Sequence, residues 1–322
     1  MIQIIDWERQ ATEALKSIAR RQDLKAHVER TPALNGLLRR AAARYVAGAT
    51  REEGIEAARR LLAKGYAVSL EYIGENTTDA AECEAAAGEM AALVGELGEL
   101  GITARVSFDL SHIGLAADDG LAYEQLLRLT RHARELGIEP FVSMEESAKT
   151  GRILDVYKRA AISDSGIGIT LQAHLNRTPG DLAGLEGIGG PIRIVKGAYQ
   201  EPAEVAIGRS EALNERYLQL VEAALAQGRR VSVATHDEAL IEAVIARGWA
   251  SHGVEFELLY GIRPDLAGKL KASGYPVRVY VTYGEEWYLY LCHRIAEFPP
   301  NLYRALADVV GEAAVDSVSA YD

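Results

Sequence analysis

The 322-residue chain lacks the features of several common protein classes. It has only two cysteines, Cys83 and Cys292, so neither a disulfide framework nor a zinc ribbon is supported. Acidic residues outnumber basic ones by 46 to 35, and the formal charge of -11 argues against a nucleic-acid or anionic-membrane partner, which would select a basic surface. No apolar run reaches membrane-spanning length, and the start lacks a charged segment followed by an apolar one. We therefore expect a cytoplasmic protein without an integral membrane segment.

The chain does show a regular alternation of short β-branched runs with longer amphipathic ones. Candidate strands cover residues 67–74, 104–110, 140–146, 167–175, 192–199, 230–237, 252–261 and 277–284. Between them, segments such as 118–137 and 215–228 repeat apolar residues at helical spacing and stop at glycine. Eight strand–helix units are what a (β/α)8 barrel requires, so we predict an α/β fold, a (β/α)8 TIM barrel.

We expect three parts along the chain. They are an N-terminal helical segment at 1–65 that packs on the barrel, the barrel itself at 66–312, and a solvated C-terminal tail at 313–322. A doubly wound open sheet is the alternative fold. It normally has a glycine-rich phosphate loop directly after an early strand, and "YIGENTTDA" at 72–80 is not such a loop.

Active sites of TIM barrels form at the C-terminal ends of the strands. The residues of interest at the predicted strand ends are Glu71, Glu75, Asp109, His112, Ser143, Glu145, Glu146, Gln172, His174, Lys196, Tyr199, His236, Asp237, Leu259, Tyr260 and Tyr280. One interpretation is a divalent metal held by His112, Glu145, His174 and His236, although the sequence contains no HxH or HExxH spacing.

A large organic cofactor laid across the strand ends is the second interpretation. Gln172, Arg193 and Lys196 offer polar contacts at the fourth and fifth strands. Next to them, Gly197 and Ala198 remove side-chain bulk where a flat ring system approaches the backbone.

Five segments, in this order and at this spacing, resemble the proline dehydrogenase family. They are 192–202 (IRIVKGAYQEP), 233–237 (VATHD), 256–264 (FELLYGIRP), 277–284 (VRVYVTYG) and 293–302 (HRIAEFPPNL), and the similarity runs from about Tyr66 to Leu302. The resemblance implies a distorted barrel that binds FAD without a Rossmann domain and removes a hydride from the carbon beside the ring nitrogen of L-proline. It implies flavin contacts from Gln172, Arg193, Lys196, Gly197, Ala198, Thr235, His236 and Glu297. It also places Leu259, Tyr199 and Tyr280 in the substrate pocket and Arg294 on a carboxylate.

Three positions depart from the family pattern. The family has a double arginine where this chain has His293 and Arg294, a lysine where it has Asp109, and an aspartate that pairs with that lysine where it has Ser143. The lysine–aspartate pair is thus replaced on both sides, which avoids leaving one buried charge alone. The pocket also loses positive charge, and histidine lacks the planar fork with which arginine binds a carboxylate. We therefore expect weak binding of proline.

The main hypothesis is an FAD-dependent oxidoreductase that oxidises a C–N or N–N bond of a small amino-acid-like molecule other than proline. Arg294 orients this substrate, Asp109 or His293 handles its nitrogen, and Tyr280 and Leu259 shape the pocket. Ser143 is a further expected substrate-binding residue. A quinone, oxygen or a carrier accepts the electrons. One alternative is an L-proline dehydrogenase that yields pyrroline-5-carboxylate; the other is a catalytically idle flavin-binding accessory protein. Two arrangements stay open for the N-terminal helices, packing on the barrel or packing on a second subunit, and the second would make a homo-oligomer.

Overall fold

Eight parallel strands pair in sequence order and close into a barrel. The strands are β1 (Ala67–Tyr72), β2 (Arg105–Phe108), β3 (Glu139–Val142), β4 (Gly168–Gln172), β5 (Ile192–Val195), β6 (Val231–Ala234), β7 (Val254–Leu259) and β8 (Val277–Tyr283). The barrel closes where β1 pairs with β8, from Ala67 opposite Arg278 to Tyr72 opposite Tyr283. The predicted (β/α)8 barrel is confirmed, and the alternative of an open doubly wound sheet is wrong.

The computed structural model describes residues 21–251, 253–297, 301–311 and 316–322, and residues 10, 14, 15, 17 and 18 near the N-terminus. Before the barrel lie α1 (Gln22–Arg30), α2 (Pro32–Ala42) and α3 (Arg51–Ala63). The helices between strands are α4 (Ala80–Glu99), α5 (Asp119–Glu135), α6 (Ser147–Ser163), α7 (Thr178–Ala183), α8 (Glu211–Ala226), α9 (Glu238–Ala246) and α10 (Pro264–Ala272). After β8 come α11 (Trp287–Glu297) and α12 (Asn301–Val310). Among the residues described, no helix is both long and apolar enough to cross a membrane.

Aspartate side chains begin several of the helices that follow strands. Asp79 accepts a hydrogen bond from the Ala81 N–H at 2.9 Å at the start of α4, and Asp118 accepts one from the Leu121 N–H at 2.9 Å at the start of α5. Each satisfies a backbone donor that has no partner within the helix. These caps fix where the loops at the C-terminal ends of the strands stop.

A second apolar cluster lies beside the main barrel core. It joins Tyr45 with Trp287, Leu291 and Ile295 of α11. Ile73 after β1 and Leu259 at the end of β7 pack against this same cluster, and α2 packs against both α11 and α12. Helix α11 is therefore held against the C-terminal ends of the strands, which brings its polar residues to the mouth of the barrel.

The prediction of a solvated C-terminal tail is wrong for the part that the structure describes. Residues Ser317–Tyr321 form a 3-10 turn whose Val318 and Tyr321 are fully buried. The Tyr321 hydroxyl accepts a hydrogen bond from the Gly261 N–H at 2.9 Å, and its ring lies 5.5 Å from that of Tyr66. Val318 and Tyr321 are three residues apart, so one turn directs both side chains toward the barrel.

Candidate active site

The ends of β5, β6 and β7 are connected by two hydrogen bonds. Lys196 Nζ donates to Asp237 at 2.6 Å, and the Leu259 N–H donates to His236 Nε2 at 3.0 Å. Burial, together with the positive charges of Arg294 and Arg263, lowers the pKa of His236 to about 3. The imidazole is therefore neutral, with Nε2 as the acceptor and its proton on Nδ1.

Below these strand ends, Arg193 points into the barrel. Its Nε and Nη2 donate to the two oxygens of Glu257, each at 2.8 Å. The guanidinium carbon lies 4.7 Å from the centre of the Tyr280 ring, a cation–π distance. Arg193 and Tyr280, expected at the cofactor and the substrate respectively, are thus in direct contact.

On the opposite side of the mouth, Glu71 joins two predicted substrate residues. It accepts a hydrogen bond from Ser143 Oγ at 3.0 Å and another from the Tyr280 hydroxyl. Burial raises the pKa of Glu71, whereas those hydrogen bonds and the charges of Arg193 and Arg294 act in the opposite direction. The sequence placed Glu71 at a strand end without a role, and the structure makes it the link between β1, β3 and β8.

Asp109 lies in the same acidic region. Burial raises the pKa of its carboxyl group well above the ordinary value, and the charges of Glu71, Glu145 and Glu75 raise it further. Asp109 in turn raises the pKa of the Tyr199 hydroxyl, which burial alone already raises. Because neighbouring carboxylates repel one another, a proton on Asp109 is favoured above the usual pH range of an aspartate.

His293 and Arg294 reach the mouth from α11. Arg294 is buried, with its guanidinium carbon 4.8 Å from the centre of the Tyr290 ring. His293 beside it is half-buried. Sequence reasoning missed Tyr290, although its position four residues before Arg294 places both side chains on one helix face.

The remaining predicted cofactor residues line the ends of β4 to β6. Gln172 Nε2 donates to the backbone oxygen of Glu145 at 2.7 Å, and Thr235 Oγ1 accepts from the Asp237 N–H at 3.2 Å. Ala198 is half-buried in the loop after β5. The side chain of Glu297, the last residue of α11, lies outside the described part of the structure.

The metal interpretation finds no support in the described residues. No group of three or more His, Cys, Asp or Glu side chains among them is arranged to hold a metal ion. Glu145 accepts hydrogen bonds from the Ser111 N–H at 2.9 Å and from Lys149 Nζ at 2.7 Å. His174 Nδ1 is hydrogen-bonded to the Lys196 backbone oxygen at 3.0 Å. These side chains hold the loops together.

The residues at the ends of β4 to β6 fit FAD on three grounds. Gly197 has φ of 107°, and a Cβ atom there would lie 1.6 Å from His174 Nδ1, so the backbone approaches closely without a side chain. His174 Nε2 is buried and has no hydrogen-bond partner among the described residues. Lys196 and Arg193 supply cationic groups suited to an anionic cofactor. When bound, FAD supplies the hydride acceptor.

Comparisons with known proteins agree with this assembly. The sequence model of the family described as proline dehydrogenase matches residues 54–299. The chain is 37% identical to proline dehydrogenase from Deinococcus radiodurans over 270 residues, covering 81% of this chain and 87% of that one. It is 31% identical to proline dehydrogenase 1 from Bacillus subtilis over 265 residues, covering 81% and 87%.

Among solved structures, proline utilization A (PutA) from Bdellovibrio bacteriovorus shares the fold, with a TM-score of 0.73 at 19% identity over 86% of this chain. This chain spans only 36% of that longer protein. The family model, the two curated relatives and the barrel fold lead to one conclusion: the chain belongs to the proline dehydrogenase family and is an FAD-dependent oxidoreductase.

Proposed function

We propose that the protein oxidises the CH–NH bond of L-proline to give pyrroline-5-carboxylate. The observation that carries this proposal is the meeting of Arg193, Tyr280 and Glu71 at the mouth, where the expected cofactor residue contacts an expected substrate residue. Relatives at 37% and 31% identity that are named proline dehydrogenase support proline over another substrate. The initial hypothesis of a substrate other than proline lacks such support.

In this proposal, Arg294 orients the substrate carboxylate, and Tyr280, Tyr199 and Leu259 shape the space around the ring. Arg294 is buried, so a salt bridge to a carboxylate there is screened little by solvent. FAD held by the residues at the ends of β4 to β6 would supply the acceptor for the hydride that leaves the carbon beside nitrogen. Tyr280 cannot ionise at neutral pH, because burial and Glu71 raise its pKa well above the ordinary value. Tyr280 therefore stays neutral, lines the pocket and donates a hydrogen bond from its hydroxyl to Glu71.

A second candidate substrate follows from Asp109. This carboxyl group lies at the end of β2 where the family has a lysine, and it makes no side-chain hydrogen bond to another described residue. A substrate with an additional N–H donor, such as an open-chain amine or a hydrazine, would satisfy it. Asp109, Ser143 and His293 also predict that L-proline binds more weakly here than in relatives with the lysine and two arginines.

The test is an anaerobic titration of the FAD-loaded protein, followed by the flavin absorbance. Bleaching by L-proline at low concentration supports the proposal. Bleaching by open-chain amines or hydrazino acids alone would replace it with the second candidate. Flavin bands that none of these compounds bleaches would favour the idle accessory protein.

We also propose a cytoplasmic location, electron transfer to a quinone, oxygen or a carrier, and association into homo-oligomers. The need for an acceptor follows from the class of enzyme. The division into residues 1–65, 66–312 and 313–322 is likewise a proposal, supported by the start of β1 at Ala67. Oxygen consumption against quinone reduction distinguishes the acceptors, and light scattering measures the oligomeric state.

A further inference from the structure

Charged side chains fill the interior of the barrel below the mouth, where barrels of this kind usually hold branched aliphatic residues. At the centre lies Glu257 of β7, which is 3% exposed. Its carboxylate accepts two hydrogen bonds from Arg193 at 2.8 Å each, one from Ser69 Oγ at 2.8 Å and one from Arg105 Nη1 at 3.1 Å. All of these groups are buried, so Glu257 is the shared anion of two arginines.

The layer beneath continues the pattern of alternating charge. Arg105 Nη2 pairs with Glu139 at 2.7 Å and with Glu255 at 2.9 Å, and Arg278 Nε pairs with Glu255 at 3.0 Å. Burial opposes the ionisation of Glu257, but Arg193 and Arg105 outweigh it and lower the pKa to about 2. Glu257 is therefore negatively charged at any pH at which the enzyme works.

Arg193 is held at almost all of its donors. Besides the two bonds to Glu257, Nη2 donates to Ser107 Oγ at 3.2 Å and Nη1 donates to Thr170 Oγ1 at 3.2 Å. Of the five N–H groups of a guanidinium, one on Nη1 has no acceptor among the described residues. The Tyr280 ring packs against the guanidinium at 4.7 Å. Arg193 thus has a fixed orientation and one donor left for a ligand.

We propose that Glu257 is a positioning residue that fixes Arg193 for the flavin and sets how readily the bound flavin is reduced. This inference rests on the proposed function, because it takes Arg193 as a flavin contact. A guanidinium near the flavin favours the reduced form, which carries more negative charge. The carboxylate of Glu257 offsets part of that positive charge. Its presence therefore keeps the reduction potential of the flavin lower than Arg193 alone would set it.

The test is the midpoint potential of the flavin in Glu257→Gln, measured without substrate by reductive titration against a reference dye. The variant keeps the size of the side chain and removes its charge. We expect a more positive potential, with at least a tenfold shift in the ratio of reduced to oxidised flavin, which is about 30 mV for a two-electron couple. Glu255→Gln is the matched control, since it removes the same charge from the same strand, at a residue that pairs with Arg105 and Arg278. Its shift should be smaller.

An unchanged potential in Glu257→Gln, or an equal shift in Glu255→Gln, would overturn the inference. If Glu257→Gln does not fold, Glu257→Asp keeps the charge and withdraws it from Arg193. Weaker FAD binding by folded Glu257→Asp supports the inference, and wild-type affinity contradicts it. These measurements use no substrate, so a wild-type protein that L-proline fails to reduce would refute the proposed function alone.

Discussion

The two halves of the barrel mouth differ in charge and in their relation to the family pattern. The half formed by β5 to β7 and α11 carries cations at Lys196, Arg263 and Arg294. The half formed by β1 to β3 gathers the carboxyl groups Glu71, Glu75, Asp109, Glu145 and Glu146, with Lys149 as a counter-ion. The expected FAD contacts belong mainly to the first half, and two of the three departures, Asp109 and Ser143, belong to the second.

This difference shows that the two halves can change separately. A cofactor presents the same groups in every member of a family, so the residues that hold it stay restricted in type. The substrate contacts a different set of side chains, and a change of charge there leaves the cofactor contacts intact. Glu71 is the exception, because Arg193 and Arg294 both act on its pKa across the mouth.

The largest expected effect is the loss of FAD binding on the cofactor side of the mouth. Gly197→Ala should abolish FAD binding, because a Cβ atom would lie 1.6 Å from His174 Nδ1 and the φ of 107° strains any L-residue. The flavin-to-protein absorbance ratio of the purified variant measures this. Gly228→Ala is the control, since its φ of 70° is also positive but no atom lies within 4 Å of an added Cβ. Loss of FAD in both variants would mean that general destabilisation is the cause.

The second largest expected effect is weaker substrate binding in a protein that still binds FAD. Arg294→Ala should lower kcat/KM for L-proline about 100-fold, since a lost charge-assisted contact to a carboxylate costs ~2–3 kcal/mol. Steady-state kinetics at equal flavin content measure it. Arg128→Ala, on the outer face of α5, is the control for loss of an arginine. A change below threefold would show that Arg294 does not bind the carboxylate.

A third experiment substitutes residues of the acidic half with those of the family pattern. The double variant Asp109→Lys with Ser143→Asp should raise kcat/KM for L-proline about tenfold, ~1.4 kcal/mol, because it restores a cation for the carboxylate together with its partner. Ser143→Asp alone should be destabilising, since it places a carboxylate where Ser143 Oγ now lies 3.0 Å from Glu71. A double-mutant cycle separates the coupling from the single effects. Additive effects would refute the pairing.

The smallest effect concerns pH and stability. Folding raises the pKa of Asp109, so the folded protein holds that proton more tightly than the unfolded chain does. The stability of the fold therefore falls as the pH rises from the ordinary carboxyl range toward the raised pKa. Asp109→Asn cannot ionise and avoids this loss. We expect its melting temperature to exceed that of the wild type by on the order of a few degrees at pH 8, with a smaller difference at pH 4.

The control for this last prediction is Glu124→Gln, an exposed residue of α5. In Glu124→Gln, the difference in melting temperature between pH 4 and pH 8 should be the same as in the wild type. If the melting temperature of Asp109→Asn changes with pH in parallel with that of the wild type from pH 4 to pH 8, the assignment of Asp109 as the repelled carboxyl group is wrong.

The strands and their polar ends could be predicted from sequence because both signals are local. Alternating runs of β-branched residues and amphipathic segments mark each strand and helix, and the segment around Lys196 and Gly197 marks the cofactor side. The pairing of Glu257 with Arg193, or of Glu71 with Ser143, joins distant positions and depends on which faces of the closed barrel point inward. The burial of Tyr321 was missed for the same reason, since its partners Tyr66 and Gly261 lie far away in sequence.

The closure of β1 on β8 has a consequence for folding. β1 begins at Ala67 and its partner ends at Tyr283, so the last ladder of the barrel joins segments that leave the ribosome far apart in time. Pairing over such a separation is slow, because chain entropy is lost before the contacts form. During that interval the edges of β1 and β7 remain exposed and prone to pairing with other chains. The arrival of β8 therefore completes the barrel and removes both edges in one step.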